Sequence, residues 1–102
     1  MMKQVRVELQ QYPAQVTDEF EKALGAIPSS LDEDQARKWA TTGLEIAKHT
    51  VRSWEAAAKY YNVSPQVLQC MPFNYFIKWA QCGSTLCKES PTLAIAYFEA
   101  SP

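Results

Sequence analysis

The sequence KWATTGLEIA at residues 38–47 decides the fold, because it recurs 40 residues later as KWAQCGSTLC at residues 78–87. Both copies follow the pattern Trp-Ala-x2-Gly-x2-aliphatic-small, which places the tryptophan and the glycine one helical turn apart on one face. A glycine inside a helix costs about 1 kcal/mol relative to alanine. Gly43 and Gly83 therefore predict the close approach of a neighbouring helix or of a bulky ring, with Trp39 and Trp79 as the bulky elements of the joint.

The similarity continues through a second helix, after a turn whose length differs by three residues between the copies. The matching segments of this helix are Ser53-Trp54 with Ser90-Pro91, Tyr60-Tyr61 with Tyr97-Phe98, and Ser64-Pro65 with Ser101-Pro102. A period of about 40 residues with two helices per unit is typical of solenoid-like arrays. The sequence therefore predicts an all-α fold of tandem helix-pair repeats, with about five or six helices.

The 102 residues are predicted to form one helical domain, because a chain of this length supports one modest core. Its parts are an N-terminal helical segment (residues 1–30), repeat unit one (31–65) and repeat unit two (66–102). In residues 1–12, Val5, Val7 and Leu9 alternate as in a strand, whereas Val5 and Leu9 alone fit a helix face. A helix is favoured because no partner strand is visible.

Three helix starts are predicted from capping residues. Ser30 and Glu33 form a capping-box pattern before a long helix, Ser53 caps the next one, and Ser64-Pro65 opens a short third one. The terminal Ser101-Pro102 repeats this start signal without a helix after it. We therefore expect residues 1–102 to be the N-terminal piece of a longer protein.

The charge pattern disfavours a nucleic-acid partner and an anionic membrane. Ten basic and eleven acidic residues give a net charge of −1, and the basic residues are scattered rather than gathered into the concentrated patch that phosphate binding needs. No apolar stretch reaches the roughly 18 residues that span a bilayer, and the first residues lack a signal-peptide core. Three cysteines, an odd number, fit a reducing compartment, so a cytoplasmic location is expected.

No residue pattern indicates catalysis, a cofactor or a metal. Nucleophilic catalysis needs a base beside the nucleophile, and the single histidine, His49, could pair with Cys70, Cys82 or Cys87. A small cysteine-dependent enzyme or thiol-redox protein is therefore the alternative interpretation. Cys87, however, matches Ala47 in the repeat and is predicted to be a small core residue.

The aromatic residues suggest where a partner could bind. Most of them lie on predicted core stripes, but Tyr60 and Tyr75 lie beside their stripes, where a ring could be partly exposed. We predict these two residues as partner-binding candidates. Because repeated helix pairs build extended surfaces, the favoured function is a non-enzymatic protein–protein interaction or scaffolding module.

Part of the chain resembles a known kind of repeat. Residues 96–102 (AYFEASP), residues 90–94 (SPTLA) and Trp79-Ala80 with Gly83 resemble helical repeats that precede von Willebrand factor A domains in some bacterial proteins. Those proteins are similar to the activators of nitric oxide reductase and Rubisco that work with MoxR-type AAA+ ATPases. The resemblance covers residues 36–102 and implies an adaptor whose partner is an AAA+ ATPase system. The A domain and its Asp-x-Ser-x-Ser metal motif are absent here, so no metal site is implied.

Overall fold

A computed structural model describes residues 2–100, and these residues form helices and turns without a strand. The helices are α1 (Met2–Leu9), α2 (Ala14–Ala26), α3 (Glu33–Ala47), α4 (Ser53–Cys70), α5 (Phe73–Glu89) and α6 (Pro91–Glu99). The all-α prediction of five or six helices is confirmed, including the helix favoured at the start of the chain. Ser101-Pro102 lies outside the described residues.

The helices stack as three pairs in two layers. We name them the N-terminal pair (α1, α2), the central pair (α3, α4) and the C-terminal pair (α5, α6). In one layer α3 contacts both α1 and α5, and in the other α4 contacts both α2 and α6. The central pair overlaps predicted repeat unit one (31–65), and the C-terminal pair overlaps predicted repeat unit two (66–102). The central pair packs against the pair on either side of it.

The N-terminal segment is itself a third helix pair, which the sequence analysis did not identify. At a constant offset of 78 residues, its buried residues fall on buried residues of the C-terminal pair. The matches are Leu9 with Cys87, Val16 with Ala94, and Phe20 with Phe98. The N-terminal pair lacks the glycine that marks the other two pairs, because Val5 stands at the position equivalent to Gly83. Consistent with that bulk, α1 packs mainly on α3 and little on α2.

The two glycines are close-approach positions, as predicted. A Cβ atom at Gly43 would overlap the ring of Tyr61, and one at Gly83 would overlap the ring of Phe98. The matching tryptophans flank the same rings, with Trp39 edge-on to Tyr61 at 5.5 Å and Trp79 edge-on to Phe98 at 5.1 Å between ring centroids. The repeated sequence therefore encodes a repeated joint between the helices of each pair.

Two of the predicted capping residues are wrong. Helix α3 is capped by Asp32, whose side chain accepts from the Gln35 backbone N–H at 2.8 Å while the Gln35 side chain accepts from the Asp32 N–H at 3.0 Å. The predicted partner Glu33 is already the first helical residue. At α4 the N-cap is Arg52, and the Ser53 hydroxyl instead accepts from the Thr50 backbone N–H.

The predicted helix start at Ser64-Pro65 is also wrong, because α4 runs through both residues. Pro65 has no N–H to donate to the Tyr61 carbonyl four residues earlier. The Ser64 hydroxyl donates to the Tyr60 carbonyl at 2.6 Å and lies 3.4 Å from the Tyr61 carbonyl, so its shorter bond goes to a different acceptor from the one that Pro65 leaves. The boundary drawn between residues 65 and 66 therefore falls inside a continuous helix.

Within residues 2–100, none of the helices combines the length and the apolar character needed to cross a membrane.

Candidate interaction surface

Tyr60 is buried, so the expectation of a partly exposed ring is wrong. Its hydroxyl donates to the Trp39 carbonyl at 2.8 Å, and its ring packs against Phe76, Trp79 and Phe98 of the C-terminal pair. Burial raises the pKa of Tyr60 well above its usual range. Tyr60 lies beside the row of core residues on α4, as predicted, but the C-terminal pair covers that side of the helix.

Tyr75 has the exposure that was predicted for it. Its side chain on α5 is 57% exposed, and the ammonium group of Lys78 lies over its ring, 5.8 Å from the centroid. This is a cation–π contact at a solvent-exposed site. The partner-binding role of Tyr75 stays a prediction.

The polar atoms of the core aromatics are bonded inside the central pair. The Trp39 indole N–H donates to the Ser64 hydroxyl at 3.0 Å, and the Tyr61 hydroxyl donates to the Ala40 carbonyl. Phe20 of the N-terminal pair stacks on Trp39 at 5.5 Å. No buried side-chain nitrogen or oxygen in the part of the chain that the structure describes lacks a hydrogen-bond partner. These aromatics therefore join helices to one another.

His49 hydrogen-bonds to a serine at the joint between two pairs. Its Nε2 atom lies 2.8 Å from the Ser84 hydroxyl on α5. Burial and then the charge of Lys88 lower the pKa of His49, while Glu45 opposes this shift. Ser84 is buried in the middle of α5, where backbone N–H groups bond the carbonyls four residues earlier. That stretch offers no pair of free N–H groups to stabilise an oxyanion.

The three cysteines lie in different environments. The Cys87 thiol is buried and donates to the Ser53 hydroxyl at 3.3 Å, and burial raises the pKa of this thiol. Its prediction as a core residue is confirmed, and a raised pKa disfavours the reactive thiolate. Cys70 and Cys82 are exposed. Across residues 2–100, no three His, Cys, Asp or Glu side chains are grouped so that they could hold a metal ion.

Among the described residues, the C-terminal pair presents the surface that the central pair buries. We define the trailing face as the side of the C-terminal pair that matches the side of the central pair covered by α5 and α6. Its residues are Cys82, Leu86, Glu89, Leu93 and Tyr97. Their equivalents in the central pair are Thr42, Ile46, His49, Ala56 and Tyr60.

Exposure separates the two sets of equivalent residues. Ile46, Ala56 and Tyr60 are all 0% exposed. In the C-terminal pair, Leu93 is 51% exposed, and Leu86 and Tyr97 are half-buried. The alignment of the two repeats contained a signal for this surface that was not used. Three of the five positions carry an apolar or aromatic side chain in both units, namely Leu86 with Ile46, Leu93 with Ala56, and Tyr97 with Tyr60.

Two grooves adjoin exposed apolar side chains. One, of about 580 Å³, follows α5 along the edge of the trailing face and is lined by Lys78, Gln81, Cys82, Thr85 and Leu86. The other, of about 670 Å³, lies between α1 and α3, where Val7 is 60% exposed. The first groove extends the trailing face beyond the five residues that define it.

Comparisons with protein-family models, with curated proteins and with solved structures find no match to this chain. The assignment of a function therefore depends on the geometry.

Proposed function

We propose that this chain is a non-enzymatic helical-repeat module for protein–protein interaction or scaffolding. The observation that carries the proposal is the trailing face. Leu86, Leu93 and Tyr97 present apolar surface at positions whose equivalents are completely buried one repeat earlier. Protein–protein interaction sites are commonly found where apolar side chains are exposed within a polar rim.

The chemistry of the rest of the molecule supports the same proposal. The aromatic hydroxyls, the indole of Trp39 and the ring of His49 are bonded between helices. A protein partner fits an apolar, nearly uncharged face better than a polyanion does, because nucleic-acid binding depends on concentrated positive charge. The proposal accordingly includes a cytoplasmic protein partner and no nucleic acid. The resemblance to adaptor repeats adds an AAA+ ATPase system as a candidate partner.

A capture experiment with the intact chain tests the proposal. Wild type, Leu93→Asp and Val51→Asp are immobilised, and the proteins retained from a cytoplasmic extract are quantified by mass spectrometry. Val51 is the matched control, because it is 92% exposed in the turn between α3 and α4. Specific partners should be lost with Leu93→Asp and kept with Val51→Asp. Equal retention by all three forms contradicts the proposal.

A further inference from the structure

The charge pattern beside the trailing face indicates which partner would fit it, and this inference rests on the function proposed above. A stripe of exposed residues on α5 indicates its charge pattern. Lys78, Cys82, Thr85 and Glu89 follow one another at i, i+4, i+7 and i+11, and all four are exposed. The two charged residues lie roughly 16 Å apart along the helix, with uncharged residues between them.

This pattern is self-complementary. The midpoint between Lys78 and Glu89 is also the midpoint between Cys82 and Thr85. When two copies of α5 lie antiparallel about a two-fold axis through that midpoint, Lys78 of each copy faces Glu89 of the other. A two-fold interface uses the same surface patch on both subunits, which this arrangement satisfies.

Head-to-tail stacking is disfavoured by the exposed side of the N-terminal pair. In the N-terminal pair, Arg6 and Glu21 occupy the positions of Ser84 and Glu99. Arg6 and Glu21 form a bidentate ion pair, with the shorter contact at 2.6 Å, and both are more than 40% exposed. Covering this ion pair with an apolar face would remove both charges from water. Tail-to-tail contact instead joins two faces whose one charged residue, Glu89, has Lys78 of the other copy opposite it.

We propose that the trailing face binds the trailing face of a second copy of this chain. In this two-fold dimer Leu86, Leu93 and Tyr97 meet around the antiparallel α5 helices, and Lys78 and Glu89 form ion pairs at the rim. The arrangement gives the apolar side chains the burial that their equivalents have in the central pair.

Sedimentation equilibrium of the full chain at up to ~0.5 mM and low salt tests this proposal. The mass should rise with concentration from 11.6 kDa towards twice that value. Leu93→Asp should remain at the monomer mass, whereas Val51→Asp should dimerise like the wild type. Far-UV circular dichroism of each variant verifies that it is folded.

Charge reversal tests the two-fold arrangement itself. Lys78→Glu and Glu89→Lys should each weaken the dimer roughly tenfold, because two rim ion pairs become like-charge contacts. The double variant K78E/E89K should restore the dissociation constant to near the wild-type value. A wild type that stays monomeric, or a double variant weaker than both single variants, overturns the proposal. A monomeric wild type whose captured partners are still lost with Leu93→Asp overturns only the dimer and leaves the proposed function standing.

Discussion

Gly43 and Gly83 hold the same place in successive helix pairs, and each faces an aromatic ring that leaves no room for a methyl group. Tyr61 cannot move away easily, because its ring packs edge-on against Trp39 and Phe20 and its hydroxyl is bonded to Ala40. Overpacking of an enclosed site typically costs about 1–3 kcal/mol. The third glycine, Gly25, has no atom within 4 Å of the position that a Cβ would take.

Alanine substitutions at these glycines should therefore have opposite effects. Gly43→Ala should lower the free energy of unfolding by about 1–3 kcal/mol, despite the better helix propensity of alanine. Gly25→Ala, in α2, should leave the stability unchanged or raise it by up to about 1 kcal/mol. Urea unfolding followed by circular dichroism measures both. Equal stability changes in the two variants would show that the Tyr61 ring does not restrict Gly43.

The role of the glycines could be predicted because it depends on a pattern within one unit. The burial of Tyr60 could not be predicted in this way, because it depends on the C-terminal pair that packs against it. Phe76, Trp79 and Phe98 cover its ring only once the C-terminal pair has stacked. The same limit applies to the trailing face, since its exposure is a property of position in the array rather than of residue type.

At the scale of the helix, local polar bonds decide where each element begins and whether it continues. Asp32 rather than Ser30 caps α3, and both bonds of the capping box form between Asp32 and Gln35. Ser30 and Glu33 have the same spacing, so spacing alone could not distinguish the two candidates. Helix α4 continues through Pro65, and the Ser64 hydroxyl donates to the Tyr60 carbonyl within the same helix. A Ser-Pro pair was therefore a misleading start signal at this position.

Removing the two candidate caps of α3 should give different results. Asp32→Ala should destabilise the protein by about 1 kcal/mol, because the Gln35 N–H loses its acceptor. Ser30→Ala should change the stability by less than about 0.5 kcal/mol. Thermal unfolding of both variants beside the wild type provides the measurement. A larger loss of stability for Ser30→Ala than for Asp32→Ala would show that Ser30 is the cap, as the sequence predicted.

Replacing Ser64 should disrupt the joint between α3 and α4. In Ser64→Ala the buried indole N–H of Trp39 loses its acceptor, which should cost about 1–3 kcal/mol. Thr41→Ala is the matched control, since its hydroxyl also bonds a carbonyl four residues earlier but lies near the surface. Chemical denaturation should show a loss for Ser64→Ala at least twice that for Thr41→Ala. Equal losses would mean that the indole bond contributes nothing.

At the scale of the whole molecule, the pairs are held together by apolar stacking and by a few polar contacts between pairs. His49 with Ser84 and Cys87 with Ser53 join the central pair to the C-terminal pair. The fold class followed from sequence periodicity, and so did the joint that Gly43 and Gly83 mark. The N-terminal pair did not, because Val5 replaces the glycine that marks the other two units.

Acid should weaken the joint at His49. Its pKa is lower in the folded state than the usual value near 6.5, so the unfolded chain takes up the proton first as the pH falls. The stabilisation is present above about pH 6.5 and is lost as the pH falls through the pKa of the folded state. Carboxylates titrate mainly near pH 4, below this window.

Unfolding free energies measured from about pH 7.5 to about pH 5.5 should therefore decrease for the wild type. His49→Gln, which keeps a hydrogen-bonding side chain beside Ser84 without titrating, should show a flatter profile over the same range. Parallel profiles for the two proteins would exclude His49 as the cause.

The continuity of α4 through Pro65 limits how this molecule could be rebuilt. Helix α4 packs against α2, α3, α5 and α6, so no helix pair is a separable cassette. A chimaera cut at the sequence repeat boundary, between residues 65 and 66, would divide α4 directly after Pro65. Exchangeable segments should instead be joined at residues 27–32 or 71–72, where the chain passes between pairs. In a recombination experiment, the boundaries of the sequence repeat would therefore differ from the boundaries of the helix pairs that can be exchanged.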